Sequence, residues 1–418
     1  MTPQVGDAPG RVQGQAAGLS RMRHTAPVVE RLRQIPWEAL RAEVALPAIA
    51  RVLEGAAAER EVERALRARR DLTADERAAA VEAIFGVALW RRRLAWETAS
   101  TGALNPAVLL ASLLRDLAGV PEPRAIALAG LERAPPRQPP PRRLADRWSL
   151  PDWLEAHLAA ELGDAAEAFC AALAVPGPIC LRANRLLCTR EELAERLARE
   201  GIATAPAARA PDALRVTTPR PNLFGARAWR EGLFEPQDEG SQLLGLLLGA
   251  QPDETVLDFC AGSGGKSLLL AAQRARVLAY DVERGRLDRL RARAARARAQ
   301  GFIEIVDRPR AADRVLVDAP CSELGILRRG PDARWHIDPG VLASLPAVQR
   351  ELLELAAPLA RKRLVYGTCT VNRAENEDLA AAFERAHPEL RRTATFRSLP
   401  HLEGTDGFFG AVWDRVRT

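Results

Sequence analysis

Thr255-Val256-Leu257-Asp258-Phe259-Cys260-Ala261-Gly262-Ser263-Gly264-Gly265-Lys266-Ser267 reads as a short apolar strand, a glycine-rich turn and the first turn of a helix. Glycines at such a junction let backbone approach a ligand closely, and the helix N-terminus adds a positive end. Strand-like runs at 255–258, 277–281, 302–306, 314–318 and 363–367 alternate with helical stretches. The alternation predicts a doubly wound, mostly parallel α/β sheet from about residue 236 onward. Two of these runs lead directly into a thiol: Arg314-Val315-Leu316-Val317-Asp318-Ala319-Pro320-Cys321 and Leu364-Val365-Tyr366-Gly367-Thr368-Cys369. Three strand ends on one rim, one with a glycine turn and two with a thiol, predict a cofactor site and nucleophilic chemistry there.

The glycine turn admits a rival reading. Gly265-Lys266-Ser267 matches the end of a phosphate-binding P-loop, and Val315-Leu316-Val317-Asp318 mimics the acidic strand of an ATPase. The first glycine of that motif would fall at Cys260, and the match fails there. The next strand, Val277-Leu278-Ala279-Tyr280-Asp281, ends in an acid placed to accept hydrogen bonds from ribose hydroxyls. S-adenosylmethionine carries such a ribose without phosphates, which suits an incomplete phosphate cradle. Asp307, after Phe302-Ile303-Glu304-Ile305-Val306, is a candidate contact to the adenine.

Composition narrows the class. A chain of 418 residues with 47% apolar content calls for two or three globular domains. The net charge of +6 favours a polyanionic partner, and it is carried by arginine, since Lys266 and Lys362 are the two lysines. The six cysteines form no C-x-x-C pair and the five histidines no zinc-like spacing, so no metal site is expected. That cysteine usage reads as reduced thiols, and a cytoplasmic, monomeric protein is expected. The start does not resemble a signal peptide. The longest apolar runs, near 108–114 and 243–250, are far short of a membrane span, and no membrane partner is expected.

The chain divides by pattern. Residues 1–24 are polar, with Gly, Gln and Pro, and predict a disordered tail. From 25 to 133 the pattern is helical, as where Val81, Ile84, Phe85, Ala88 and Leu89 recur at i, i+3, i+4, i+7 and i+8. Ala134-Pro135-Pro136-Arg137-Gln138-Pro139-Pro140-Pro141 marks a semi-rigid linker over 134–142. Residues 143–235 predict a small α+β domain, and 236–418 the parallel-sheet domain. Internal repeats are not evident.

The thiols suggest a particular reaction. A cytosine ring resists electrophiles at C5 until a nucleophile adds at C6. A thiolate can add there, an acid beside N3 stabilises the adduct, and C5 then attacks a sulfonium methyl. A second proton-handling group must afterwards remove the C5 proton so that the thiol can leave. Cys369, Asp318 and Cys321 fill these roles, whereas Cys180 and Cys188 read as small core hydrophobes.

At this point the sequence resembles the RsmB/Fmu (Sun) and NOP2-type RNA 5-methylcytosine methyltransferases. The resemblance rests on Arg182-Ala183-Asn184-Arg185, Phe234-Glu235-Pro236-Gln237-Asp238-Glu239-Gly240-Ser241-Gln242, the 260–267 loop and Asp318-Ala319-Pro320-Cys321-Ser322. It continues through Arg328-Arg329-Gly330-Pro331-Asp332-Ala333-Arg334-Trp335, Leu364-Val365-Tyr366-Gly367-Thr368-Cys369 and Asp406-Gly407-Phe408-Phe409. It implies a Rossmann-like S-adenosylmethionine-dependent methyltransferase domain in which Cys369 is the nucleophile and Cys321 assists release. It also implies that Cys260, Ala261, Gly262, Ser263, Gly264, Gly265, Lys266, Asp281, Asp307 and Asp318 line the cofactor and base pocket. The helical domain resembles the NusB-like RNA-binding module of the RsmB branch, and Arg91-Arg92-Arg93-Leu94-Ala95-Trp96 is similar to its end.

The chain departs from the family in four places. Ser263 stands where Pro or Ala is usual, and Glu323-Leu324 replaces a Gly-Thr pair. The 307–318 segment is short, and Arg361-Lys362-Arg363 replaces a Gly-Gly turn.

Arg182, Asn184, Arg328, Arg329 and Arg334 are the candidate RNA contacts, the last three because they follow the Cys321 turn closely. Trp335 either stacks on a nucleotide or packs in a core. The arginines between 284 and 298 are spread around a helix and read as a solvated face. The expected activity is methylation of cytosine C5 in RNA, foremost small-subunit rRNA. The alternatives are tRNA as substrate, or a catalytically weak RNA-binding ribosome-assembly factor.

Overall fold

The computed structural model describes residues 30–219 and 221–416, and the expected tail over 1–24 lies outside them. Two compact units emerge. One comprises the described residues up to Leu158 with Asp164–Val175 and Gly330–His336, the other Ala159–Gly163, Pro176–Arg329 and the chain from Ile337.

The first unit is helical, led by α1 (Ala42–Leu53), α2 (Ala58–Ala68) and α3 (Ala74–Glu97). Thr73 and Glu76 form a capping box that satisfies two orphan donors at the start of α3. The same helix buries Ala79, Ile84, Val87, Ala88, Trp90 and Leu94. The proline-rich stretch is fastened down within this unit. Arg115 donates to the Pro135 and Pro136 carbonyls at 3.0 and 3.2 Å, and Trp96 Nε1 to Pro139 O at 3.0 Å. Prolines there mark extended backbone rather than a break in contacts. Leu144–Trp148 and Ala166–Leu173, expected in the small α+β domain, therefore group with the helical unit. Trp148 packs against Trp90 with ring centroids 6.1 Å apart, and Phe169 is fully buried.

The second unit holds two sheets. Strands β1 (Cys180–Ala183), β2 (Thr204–Pro206), β3 (Ala213–Val216) and β4 (Phe234–Pro236) form an antiparallel sheet in the order β2-β3-β1-β4. Helix α4 (Arg190–Arg199), capped by the Thr189–Glu192 box, covers it through Leu193 and Leu197.

The larger sheet contains β5 (Thr255–Asp258), β6 (Arg276–Ala279), β7 (Ile303–Ile305), β8 (Ala312–Asp318), β9 (Ala360–Thr368), β10 (Leu390–Ser398) and β11 (Phe408–Arg415). Their order is β10-β11-β9-β8-β5-β6-β7. The five strands from β9 to β7 are mutually parallel, as the alternation of runs predicts. The β10–β11 hairpin adds an antiparallel edge. Helices α5 (Gly265–Ala272), α6 (Arg284–Arg296), α7 (Pro339–Ala356) and α8 (Glu377–Ala386) clothe the sheet. Alternating strand residues feed two cores. Val256, Val277, Leu316 and Val365 face one, and Leu257, Val315, Val317 and Tyr366 the other. The chain builds outward from β5 to β7, then returns to place β8 on the other side of β5. In open α/β sheets ligands bind beyond the carboxyl ends of strands at such a reversal.

Candidate active site

The turn after β5 depends on its glycines. Gly262 and Gly264 have φ of +54° and +85°, and a Cβ on Gly264 would stand 2.1 Å from a Leu290 methyl. Asp281, just beyond β6, ties the strand ends together by accepting from Gly262 N at 2.8 Å and Glu283 N at 2.7 Å. A carboxylate has about four acceptor sites, so its capacity is only half used. Arg293 holds the turn from α6 through Ser263 O at 2.8 Å and Ser263 Oγ at 3.1 Å. The serine at the unusual position is thus an acceptor that proline or alanine lacks.

Beneath the turn, Ser267 Oγ donates to Asp258 Oδ2 at 2.7 Å, while Asp258 Oδ1 is buried without a partner. Burial pushes the Asp258 carboxyl up to about 7. Burial, followed by the charges of Asp258, Asp318 and Asp281, pushes the Cys260 thiol far up.

Lys266 Nζ is bound to Asp318 Oδ2 at 2.6 Å. A P-loop lysine must be free to meet phosphates, and a ring of acids repels a polyanion. The same acids suit S-adenosylmethionine, whose sulfonium and amino group are cationic. The spare acceptors of Asp281 suit its ribose, and the orphaned Asp258 Oδ1 suits a cationic or water partner. Val282, which the sequence reading passed over, is 83% exposed beside Asp281 and offers an apolar surface. Its only sequence signal is an apolar residue directly after the strand-end acid.

The thiols meet because β8 and β9 are parallel neighbours, with Asp318 opposite Gly367. Beyond those ends Cys321 Sγ and Cys369 Sγ stand 3.3 Å apart, and Cys369 N donates to Cys321 Sγ at 3.3 Å. The hydrogen bond with Cys321, burial, and the charges of Glu323 and Asp318 together hold the Cys369 thiol well above its ordinary value. Glu323 itself sits at φ +59°, in the left-handed region that favours glycine. The Cys321 loop is pinned by Gly325 N to Cys369 O at 3.0 Å and by Gly407 N to Gly325 O at 2.8 Å. A Cβ on Gly325 would lie 2.3 Å from Gly407 O, so this approach of two backbones requires glycine.

A buried carboxylate that the sequence reading missed lies behind the thiols. Glu375 is fully buried and accepts from Ser322 N at 3.0 Å, Ser322 Oγ at 2.5 Å, Gln349 Nε2 at 2.8 Å and Asn372 Nδ2 at 2.9 Å. Ser322 Oγ also meets Thr370 Oγ1 at 2.7 Å. Asn376 accepts from Thr368 Oγ1 at 2.6 Å and donates to Thr370 O at 3.0 Å. The polar run Asn372-Arg373-Ala374-Glu375-Asn376 after a thiol-bearing strand was the available signal.

The candidate RNA contacts are engaged within the protein. Arg182 is nearly buried and donates to Gln237 Oε1 and to Gly265 O at 2.8 Å, bracing the cofactor turn. Asn184 donates to Gly232 O at 2.9 Å and Ala297 O at 2.8 Å. Arg328 and Arg329 share Asp406, each at 2.6 Å, and Arg329 also reaches Asp238 at 2.8 Å.

Arg334 is fully buried in the helical unit, donating to Trp148 O at 3.0 Å and Leu173 O at 3.3 Å. Trp335 packs there too, with Nε1 on Ala88 O at 3.1 Å and Arg91 over its ring at 4.0 Å. In these positions Arg182, Asn184 and Arg334 are buried and hydrogen-bonded to the protein, and Arg328 and Arg329 are paired with acids. Asp307 is 79% exposed and paired with Arg284 at 2.6 Å, at the edge-strand end of the sheet. Arg284, Arg286 and Arg291 form exposed pairs, as expected of a solvated face, while Arg293 and Arg296 are anchored on buried Glu235. Cys170, Cys180 and Cys188 are held up by burial, to about 12, 11 and 11, as befits packed thiols.

Residues 245–413 match the family described as 16S rRNA methyltransferase RsmB/F, and residues 150–222 its ferredoxin-like domain. The probable ribosomal RNA small subunit methyltransferase B of Bacillus subtilis (strain 168) is 33% identical over 318 residues, 68% of this chain and 71% of that protein. The ribosomal RNA small subunit methyltransferase B of Serratia proteamaculans (strain 568) is 35% identical over 253 residues, 56% of this chain and 59% of that one. Among solved structures, that of PH0851 covers 90% of this chain and 98% of its own, with a TM-score of 0.74 at 24% identity. NSun6 from Pyrococcus horikoshii with SFG covers 64% of this chain and 99% of its own, at 0.58 and 19%. These two likenesses concern the fold.

Proposed function

The chain belongs to the RsmB/F family of 16S rRNA methyltransferases, and on that premise we propose that it methylates C5 of a cytosine in small-subunit ribosomal RNA. The observation that carries the reading is the pair of thiols 3.3 Å apart beside the Lys266–Asp318 pair, at the carboxyl ends of β8 and β9. S-adenosylmethionine would be held by the 260–266 turn, Asp281 and Val282, and when bound it supplies an electrophilic methyl group to C5. Asp307 would join that set through the oxygen that Arg284 does not occupy.

The chain's own groups do the rest. The Cys369 thiolate adds to C6, and the C5–C6 electron pair moves toward C4–N3, where a proton from the Lys266–Asp318 pair settles on N3. After methylation Cys321 takes the C5 proton. The C6–sulfur bond then breaks, C5=C6 re-forms, N3 returns its proton, and Cys369 leaves as thiolate. Six free cysteines support action in a reducing cytoplasm.

With a small-subunit rRNA transcript and S-adenosylmethionine, Cys369→Ala should abolish transfer while keeping cofactor binding. Cys321→Ala should accumulate an RNA–protein adduct that survives denaturing gels. An active Cys369→Ala variant would refute the assignment of the nucleophile. Binding of both ligands by the wild-type chain without any transfer would leave the assembly-factor reading.

A further inference from the structure

We propose that Glu375 is a positioning residue that sets the distance between the two thiols, and so governs release of the methylated base rather than attack on it. This rests on the thiol roles above. Ser322 directly follows Cys321 and Thr370 directly follows Cys369, and their hydroxyls meet at 2.7 Å. Glu375 holds that junction from behind. It grips both the amide and the hydroxyl of Ser322, while Gln349 and Asn372 fill its remaining lone pairs. Gln349 Nε2 also donates to Pro320 O at 2.9 Å, on the other side of Cys321. Tyr366 OH donates to Glu375 O at 2.7 Å, which fixes the carboxylate's own backbone to β9. All four partners of the carboxylate, one backbone amide and three side chains, are donors, so only an acceptor with two oxygens fits.

The cofactor groups lie outside this network. Gly262 and Glu283 bond Asp281, Lys266 bonds Asp318, and Arg293 bonds Ser263 and Glu235; none of these bonds goes to Glu375. Attack by Cys369 on C6 needs one thiol and the base. Removal of the C5 proton needs Cys321 at the correct distance from an adduct already fixed on Cys369. Loosening the junction therefore acts on the second half of the cycle. A displacement near 1 Å in a reacting pair costs about a hundredfold in rate.

Glu375→Gln puts an amide donor against two existing donors, and Ser322→Ala removes one strand of the same clamp without disturbing the carboxylate. In the full-length protein with a small-subunit rRNA transcript, Glu375→Gln should lower steady-state methylation by about 10- to 100-fold. The denaturation-resistant adduct should rise several-fold above wild type, and the dissociation constant for S-adenosylmethionine should stay within about twofold. Ser322→Ala should show the same signature more weakly, which covers the case in which Glu375→Gln does not fold. Wild-type turnover in both variants overturns the proposal. So does a loss of turnover without adduct, or a parallel loss of cofactor binding. Cys321→Ala runs alongside: if it traps no adduct, the thiol roles fail and this proposal with them, whereas adduct there and none in the two variants removes only the role of Glu375.

Discussion

Replacing Glu323 with glycine should make the second unit more stable and Cys369 reactive at lower pH. Glu323 lies at φ +59°, where an L side chain costs about 1–2 kcal/mol. Glycine carries none of that cost but gains about 0.5–1 kcal/mol of freedom in the unfolded chain. The balance is a stabilisation of about 0.5–1 kcal/mol, a rise of about 1–4 °C in melting temperature for a unit of this size. The charge acts separately. Glu323 opposes ionisation of the Cys369 thiol, so its removal lowers that pKa and moves the midpoint of alkylation to lower pH. Glu323→Gln keeps the backbone strain and removes only the charge, so it should shift the alkylation midpoint with little change in melting. Calorimetry and pH-dependent iodoacetamide labelling, with peptide mapping to separate Cys369 from Cys321, measure both effects. A Glu323→Gly variant that melts lower, or a midpoint that stays or rises in both variants, would refute the reasoning.

Asp258→Asn tests the buried acid. The folded carboxyl is raised to about 7 against an unfolded value near 3.8, so wild type loses roughly 4 kcal/mol of stability as pH climbs between those values. The variant should lose that slope, gaining on wild type at pH 8 but not at pH 4; parallel melting profiles across this range would count against it. Arg182→Met should weaken S-adenosylmethionine binding about tenfold while RNA affinity at fixed salt changes less than twofold, by titration of each ligand, because Arg182 braces Gly265. Arg334→Met should leave the slope of log affinity for RNA against log salt unchanged, since the side chain is fully buried; a slope smaller by about one would mean a lost phosphate contact.

The parallel sheet was legible because its strands are short, apolar and regularly spaced, and a period-two pattern buried on both faces leaves few alternatives. The turn at 260–266 and the two thiol ends were legible for a related reason: each directly follows a strand, so local sequence fixes its place on the rim. What failed to show was anything set by pairing across the fold. Arg328 and Arg329 look like a free basic patch until Asp406 and Asp238, distant in sequence, are brought against them. Arg334 sits two residues from the His336 end of a short segment that the fold assigns to the helical unit, and no local pattern announces that. Glu375 was missed because a glutamate near a helix start reads as a surface residue. Its four donors come from three separate segments.

Residues 223–244 lie between the two matched regions, yet they join the parts of the second unit that make the site. Glu235 on β4 takes Arg293 and Arg296 from α6, and Arg293 in turn holds Ser263. Gln237 takes Arg182 from β1, whose guanidinium reaches Gly265. Asp238 takes Arg329 and the amide of Asp406, whose neighbour Gly407 pins Gly325 in the Cys321 loop. Glu235, Gln237 and Asp238, on β4 or just after it, thus link the small sheet to the 260–266 turn and to the thiol loop. A boundary at residue 235 would cut between the carboxylate that anchors α6 and the glutamine that anchors β1. The small sheet therefore braces both the 260–266 turn and the Cys321 loop and is not independent of the large sheet. Arg182 on β1 is one strut of that brace, through Gln237 and Gly265.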